Sequence, residues 1–275
     1  MFPGINFDRF AMYSYDSPSS LSAYVNDLTS HGIVVEFEDH TNSNGSNIGG
    51  GSGSAYTGSQ LAAENAWYAL LAQAFKGNPA VWFGTDNEPP SGGLSAWEVS
   101  NYNAIRSTGN TSPIMLEKWG GGVPGRMNEG LNPSDFASMT NVIWDVHFYG
   151  WTLNMASPQA AVAEAQQITG RDGMVPVIIG EYGVTTSATS IDANGQQVLQ
   201  AVQGSGLGSA AWVWDYGAGN SLTDGGNNLT SFGRTISGYI QLVAGAPASI
   251  WSTSCVAAAS APDAALIFTA SAASP

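Results

Sequence analysis

Two segments of this chain share one design, in which an apolar strand ends at a glutamate. Residues 80–90 read AVWFGTDNEPP, so an apolar run gives way to Asn87, Glu88 and two prolines. Residues 175–183 read VPVIIGEYG and place Glu181 directly after a Val/Ile run and one glycine. Because polar residues and prolines end strands, both glutamates are predicted to lie at the edge of a sheet. The chain is therefore predicted to adopt a fold that brings strand ends together.

Strand-like and helical segments alternate along the chain. The predicted strands are Ile5–Tyr13, Ile33–His40, the run from Ala80, Pro113–Glu117, Asn141–Tyr149, the run ending at Glu181, and Ser209–Asp215. The predicted helices are Ser19–Ser30, Leu61–Phe75, one beginning near Ser95, Gln159–Thr169, Gln196–Val202 and Phe232–Val243. Nearly continuous apolar strands between helices favour a buried parallel sheet. With 275 residues, the chain suits an α/β fold of the (β/α)₈ TIM-barrel type, which takes about 250 residues.

Local signals mark several helix ends. Ser95 with Glu98 has the spacing of a capping box. Ser157 followed by Pro158 is the usual order of N-cap and first helical residue. Gly32 stands where a helix often ends at a glycine.

Composition narrows the classes of partner. The net charge is −14, so the surface repels phosphate backbones and anionic membranes, and neutral polymers are the better partners. We expect no nucleic acid or membrane partner and a monomer. The single cysteine, Cys255, excludes an intrachain disulfide and a cysteine-based metal site, and the three histidines show no metal-ligand spacing. No cofactor is expected.

The N-terminus carries no basic start followed by an apolar stretch, so we expect a secreted protein whose signal peptide is absent from this chain. Residues 1–244 are predicted to form the barrel domain. Residues 245–275 are an Ala/Ser-rich tail with one strand-like run, Ala265–Thr269. The tail is either a linker remnant or a strand that completes the sheet.

Paired glutamates at strand ends are what a retaining glycosidase requires, one as acid/base and one as nucleophile, roughly 5 Å apart. Glu88 is the candidate acid/base, since a recessed carboxyl beside a second carboxylate can stay protonated. Glu181 is the candidate nucleophile. Arg9 could hold that carboxylate, because its guanidinium stays charged, although a purely structural ion pair is an equal reading.

With these motifs in view, the chain resembles the cellulase-like members of glycoside hydrolase family 5, a retaining clan built on (β/α)₈ barrels. The resemblance rests on Asn87-Glu88-Pro89, His147-Phe148-Tyr149, Gly180-Glu181-Tyr182-Gly183 and Trp214, and it spans most of residues 5–243. It implies that Asn87 hydrogen-bonds the sugar 2-hydroxyl, and that His147 and Tyr149 line the cleft.

Further histidine, aspartate and tryptophan positions complete the expected site. His40 ends its strand much as His147 does, and alternation places Asp145 on the same face as His147. Trp214 offers a flat apolar face for a pyranose ring, while Trp212 shares its parity and could do the same or pack in the barrel. Trp119 and Trp151, both beside glycines, are further candidate sugar platforms.

Strand counting exposes a departure from the family. In family 5 the acid/base ends strand four and the nucleophile strand seven, whereas here Glu88 ends the third strand and Glu181 the sixth. The family's first strand is therefore expected to be missing from the N-terminus, which would leave two unpaired edges. One hypothesis is that Ala265–Thr269 fills the gap, as in a circular permutation.

The expected function is a retaining endo-β-1,4-glycosidase acting on a neutral polysaccharide, with cellulose or β-glucan first. A β-mannanase of the same family is the nearest alternative. A non-catalytic carbohydrate-binding barrel is a rival from another class. A barrel isomerase or aldolase would require a Schiff-base lysine or metal ligands, and the only lysines are Lys76 and Lys118.

Overall fold

A computed structural model gives the architecture. It describes residues 4–41, 53–149, 157–171, 176–183, 193–214, 220–224, 228–244 and 267–272. Within these ranges no helix combines the length and apolar character needed to cross a bilayer.

Eight parallel strands form a closed barrel in chain order. The strands are β1 (Phe7–Met12), β2 (Val34–Asp39), β3 (Val81–Asp86), β4 (Ile114–Glu117), β5 (Val142–Phe148), β6 (Val177–Tyr182), β7 (Ser209–Ala211) and β8 (Ile267–Ala272). The helices are α1 (Pro18–Ser30), α2 (Gly58–Ala74), α3 (Leu94–Ser107), α4 (Pro133–Phe136), α5 (Pro158–Arg171), α6 (Ala193–Gly204) and α7 (Ser231–Ala244). The (β/α)₈ prediction is confirmed.

Two local predictions fared differently. Ser157 caps α5 as predicted, since its Oγ accepts from the backbone N–H of Ala160 at 3.2 Å. The capping box at Ser95 is wrong, because Gly93 is the N-cap of α3 and Ser95 lies inside its first turn. The Ser95 hydroxyl instead accepts from the backbone N–H of Asn132 at 2.6 Å, so a tertiary contact takes it.

Strand β8 lies between the two ends of the seven-strand series. It pairs in parallel with β1, where Arg9 faces Ala270 in the register, and with β7, where Ala210 faces Phe268. The strand overlaps the strand-like run Ala265–Thr269 and extends three residues beyond it. Since the N-terminal part of the chain supplies seven strands, this C-terminal segment is the eighth strand, and it closes the barrel between β7 and β1.

The barrel interior is layered. One side chain from each of the first seven strands forms an apolar layer: Phe7, Val34, Trp82, Met115, Ile143, Ile178 and Ala210. Because alternate residues of a strand share a face, the positions two residues further on form the next layer toward the C-terminal ends. That second layer is polar, with Arg9, Glu36, Glu117 and Asp145 fully buried. The larger apolar core lies around it and includes Phe37, Trp144 and Ile179.

Candidate active site

Two strands of the barrel carry glycine where the polar layer needs space. A Cβ at Gly84 on β3 would come within 1.9 Å of Glu36 Oε1, and a Cβ at Gly180 on β6 within 2.1 Å of the Asp145 carboxylate. The backbone N–H of Gly180 also donates to Asp145 Oδ1 at 2.7 Å. Close approach of carboxylates to the barrel wall therefore explains these two glycines.

Arg9 on β1 lies at the centre of the polar layer. It contacts five buried carboxylates, which we call the Arg9 cluster: Glu36, Glu38, Glu117, Asp145 and Glu181. Burial alone would lower the pKa of Arg9, but the charges of Glu38 and Glu181 raise it well above its ordinary value. The guanidinium therefore stays charged and holds the cluster together.

Glu181 is held at both of its oxygens. Arg9 Nη1 donates to Oε1 at 2.5 Å, and the Tyr149 hydroxyl donates to Oε2 at 2.5 Å. Burial and the Glu181 charge raise the pKa of Tyr149 well above its ordinary value, so its hydroxyl keeps the proton it donates. Two donors on this carboxylate fix its orientation.

Glu88 has an unusual backbone and a defined partner. Its φ is 43°, in the left-handed region that a residue with a side chain rarely adopts. Its Oε1 lies 2.9 Å from Nδ1 of His147, and its side chain is 13% exposed. Strained backbone positions of this kind cluster at functional sites. The turn after β3 thus directs this carboxyl toward His147.

The two glutamates face each other. One carboxylate oxygen of Glu88, one of Glu181 and a ring nitrogen of His147 all lie within 4.8 Å of one another. Retaining glycosidases place their carboxyl groups about 5–5.5 Å apart, and inverting enzymes about 6.5–9.5 Å. The separation therefore fits direct attack by one carboxylate, with no space for a water between the pair.

The two histidines of the site differ in charge. Burial alone would lower the pKa of His147, yet the carboxylates of Glu117 and Glu181 raise it well above its ordinary value. His147 is thus an imidazolium, with Nε2 3.2 Å from Glu117 Oε1. For His40, burial and the charge of Arg9 lower the pKa to about 3, so it is neutral.

Asn87 is also part of this constellation. Its Oδ1 accepts from Arg9 Nη2 at 3.3 Å, and its backbone N–H donates to the Asp39 carbonyl at 2.9 Å. Hence Arg9 orients the side-chain amide beside the two glutamates. Two groups here have ligand-like spacing, Glu88–His147–Glu181 and Glu117–Asp145–His147. Arg9 contacts Glu117, Asp145 and Glu181 of these groups, and His147 belongs to both.

With this geometry in view, the comparison with protein families is decisive. The model of the cellulase family, glycosyl hydrolase family 5, matches residues 8–218. The chain belongs to glycoside hydrolase family 5. The resemblance drawn from the Asn87-Glu88-Pro89 and Gly180-Glu181-Tyr182-Gly183 motifs is confirmed. No curated protein sequence matches this family 5 hydrolase.

Three solved structures illustrate the similarity in fold. The Thermobifida fusca endoglucanase Cel5A has a TM-score of 0.58 at 16% identity, covering 82% of this chain and 74% of that one. A broad-specificity endoglucanase from Clostridium acetobutylicum has a TM-score of 0.63 at 16% identity and 86% coverage of both chains. Endo-glycoceramidase II from Rhodococcus sp. has a TM-score of 0.64 at 17% identity, covering 86% of this chain and 70% of that one. At these identities the likeness concerns the fold.

The tryptophans of the family 5 hydrolase divide in an unexpected way. Trp214, the predicted sugar platform, is partly buried and packs against the main hydrophobic core. Trp212 lies instead beside the site, with its ring parallel to His40 at 5.4 Å between centroids. The sequence could not separate them, because both residues share one parity.

The other two candidate sugar platforms, Trp119 and Trp151, have less structural support. Trp119 has the Arg126 guanidinium 4.0 Å from its ring centroid, so a cation covers that face. Trp151 lies outside the described residues.

The sequence did not identify two carboxylates that contact Arg9 in the site, Glu38 and Glu117. Each ends or nearly ends a strand with a carboxylate, as Glu88 and Glu181 do, and that shared pattern was the signal available for both.

Proposed function

We propose that this family 5 hydrolase is a retaining endo-β-1,4-glucanase. The observation that carries the proposal is the approach of Glu88 and Glu181 to within 4.8 Å at the C-terminal edge of a parallel barrel. Barrel enzymes place their chemistry at this edge. The structural neighbours that are endoglucanases support a β-glucan substrate. The acidic surface favours a neutral polymer, and we place its action outside the cell.

Glu181 attacks the anomeric carbon while Glu88 protonates the departing glycosidic oxygen, so one glycosyl–oxygen bond breaks as the glycosyl–enzyme ester forms. Arg9 and Tyr149 hold the attacking carboxylate in place. Glu88 then takes a proton from water, and the resulting oxygen nucleophile displaces Glu181 to release the sugar. Both steps invert the anomeric centre, which gives net retention.

The remaining side chains bind the sugar. Arg9 orients the side-chain amide of Asn87, and we assign this amide to a hydrogen bond with a sugar hydroxyl. Neutral His40 contributes a hydrogen bond without adding charge. We assign the sugar-stacking face in this region to Trp212, which lies against His40, ahead of Trp214. His147 orients the Glu88 carboxyl.

The first test measures reducing-sugar release from carboxymethyl cellulose, mannan and xylan. The wild type should act best on carboxymethyl cellulose. Glu181→Gln should lose at least about 10³-fold in kcat, since the nucleophile is gone. Glu129→Gln is the matched control, because Glu129 pairs with Arg126 at the surface, and it should retain full activity. Release by wild type from none of the polymers would overturn the proposal in favour of a binding module.

A second test separates the two carboxyl roles. On an aryl cellobioside with a highly activated leaving group, Glu88→Gln should form the glycosyl–enzyme at near wild-type rate, because such a leaving group needs no protonation. On carboxymethyl cellulose the same variant should lose about 10²–10⁴-fold in hydrolysis rate.

Proton NMR of the product freshly released by the wild type should show the β-anomer first. An α-anomer would contradict the retaining assignment.

A further inference from the structure

A second group of buried carboxylates lies beside the active site. Asp39 is the last residue of β2 and Asp86 the last of β3, and the two are partners in the strand register. Glu64 projects from the helix α2 (Gly58–Ala74) and is fully buried. One oxygen from each of the three lies within 4.8 Å of the others. We call these three residues the acidic triad.

The surroundings orient the triad. The Asp39 carboxylate accepts from the backbone N–H of Thr41 and the Tyr15 hydroxyl, both at 2.7 Å. Oε2 of Glu64 accepts from the indole N–H of Trp97 at 2.7 Å and from Asn101 Nδ2 at 3.0 Å. These donors hold Asp39 and Glu64 in fixed positions, and they occupy both oxygens of Asp39 but only one oxygen of Glu64.

Three oxygens of the acidic triad have no hydrogen-bond partner among the described residues. Among the described residues, neither oxygen of Asp86 has a hydrogen-bond partner, and neither does Oε1 of Glu64. Asp86 is 1% exposed, so water does not compensate for the missing partners. No Lys, Arg or His of the described ranges forms an ion pair with the triad. Buried carboxylates without a counter-charge or donor are costly, which points to a missing cation.

We propose that the acidic triad is a structural site for a divalent cation, with Ca²⁺ as its ligand. Carboxylate oxygens alone suit hard cations, and the set holds no nitrogen or sulfur that would select zinc. Ca²⁺ binds oxygens at about 2.3–2.6 Å, so two ligands on opposite sides lie up to about 5 Å apart, as the triad spacing allows. Mg²⁺ retains several waters, which a fully buried site does not favour.

Electrostatics agrees with this geometry. Burial raises the pKa of Asp86, and the neighbouring charges of Asp39 and Glu64 raise it further. Burial likewise raises the pKa of Glu64, with Asp39 adding to the effect. A divalent cation would replace these protons and remove the repulsion. It would also tie β2 and β3 to α2 directly beneath Asn87 and Glu88.

The experiment uses the full chain, first stripped with EDTA and then dialysed against Ca²⁺ or Mg²⁺. Elemental analysis should find about one Ca²⁺ per chain. The Tm at pH 7 should rise by about 5 °C or more at saturating Ca²⁺, and by less with Mg²⁺. Neither readout depends on glycosidase activity, so this proposal can fail while the proposed function stands.

Variants locate the site. Asp86→Asn and Glu64→Gln should abolish the Ca²⁺-dependent rise in Tm. Asp27→Asn, a matched change at an exposed carboxylate, should keep it. A wild type that binds no stoichiometric Ca²⁺ and shows no change in Tm would overturn the proposal and leave the triad as carboxyls sharing protons. An Asp86→Asn protein with the full response would overturn it as well.

If the triad variants do not fold, Tb³⁺ luminescence on the wild type decides. Trp97 contacts Glu64, so it should sensitise Tb³⁺ bound at the triad. Ca²⁺ should displace that signal with a stoichiometry of about one. Absence of any sensitised emission that Ca²⁺ can displace counts against the site.

Discussion

The Arg9 cluster and the acidic triad are neighbouring groups of buried carboxylates that differ in what balances their charge. In the cluster, five carboxylates surround one guanidinium and the charged His147. In the triad, three carboxylates have no cation from the described part of the chain. Burial of charge is tolerated in the cluster because Arg9, on β1, provides a counter-charge at its centre. The triad has the same need without that partner.

Substitution of Arg9, the cation at the centre of the cluster, should have the largest effect on the free energy of unfolding. Arg9→Met leaves several carboxylates buried without their counter-charge, and we expect a loss of about 3–5 kcal/mol in the free energy of unfolding. Urea denaturation measures it. Arg126→Met is the matched control, since Arg126 is 54% exposed and Glu129 is its only ion-pair partner among the described residues. This variant should change stability by less than about 1 kcal/mol. Equal losses of stability in Arg9→Met and Arg126→Met would show that the buried carboxylates do not depend on the charge of Arg9.

The strand that closes the barrel lies next to Arg9 and away from the triad. Deletion of residues 245–275 removes the pairing of β8 with β1 and β7, and we expect a loss of about 2–4 kcal/mol, from several backbone hydrogen bonds. Activity should fall because the seam next to Arg9 opens. Removal of residues 273–275 alone is the control and should change neither. A deletion protein with the wild-type melting curve would show that residues 245–275 are a dispensable tail.

Neutralising one carboxylate in each group should give opposite signs in EDTA at pH 7. Glu117→Gln removes a partner of Arg9 and His147 and should lower the free energy of unfolding by about 1–3 kcal/mol. Asp86→Asn removes an uncompensated charge and should raise it by about 1 kcal/mol.

The pH dependence of the Asp86→Asn gain follows from the raised pKa of Asp86. A raised folded pKa means that stability is fully present below the unfolded pKa, about 3.9, and is lost as the pH rises through the folded value. The gain should therefore be visible at pH 7 and vanish near pH 4. In saturating Ca²⁺ the order should reverse, with wild type the more stable. A loss of stability in EDTA would contradict the uncompensated charge.

The smallest expected effect is the change with pH in the Tm difference between wild type and His147→Gln. The folded pKa of His147 is raised above its unfolded value. Its charged form contributes stability that is fully present below about pH 6.5 and is lost as the pH rises through the folded pKa. The difference in Tm between wild type and His147→Gln should thus be largest at pH 6 and shrink by about 2 °C or more toward alkaline pH. His31→Gln, at an exposed histidine, should show no such trend. A difference that grows with pH would mean that His147 is neutral.

Much of this protein was determined by the sequence alone. Apolar runs such as residues 81–83 and 177–179 specify buried parallel strands, because only a sheet covered on both faces can bury them. The polar residues that end those strands place Glu88 and Glu181 on one edge, and the alternation of His147 and Tyr149 puts them on one face. These are local rules, and they hold wherever the strand is packed.

Tertiary structure decided what local rules leave open. Parity could not choose between Trp212 and Trp214, because the choice depends on what each ring packs against in the fold. The positive φ of Glu88, the space that Gly84 leaves for Glu36, and the meeting of Asp39, Glu64 and Asp86 each require segments distant in the chain. The sequence fixes which charges are present, while the fold fixes which of them share a buried volume, because Coulomb interactions depend on distance in space and on exclusion of water.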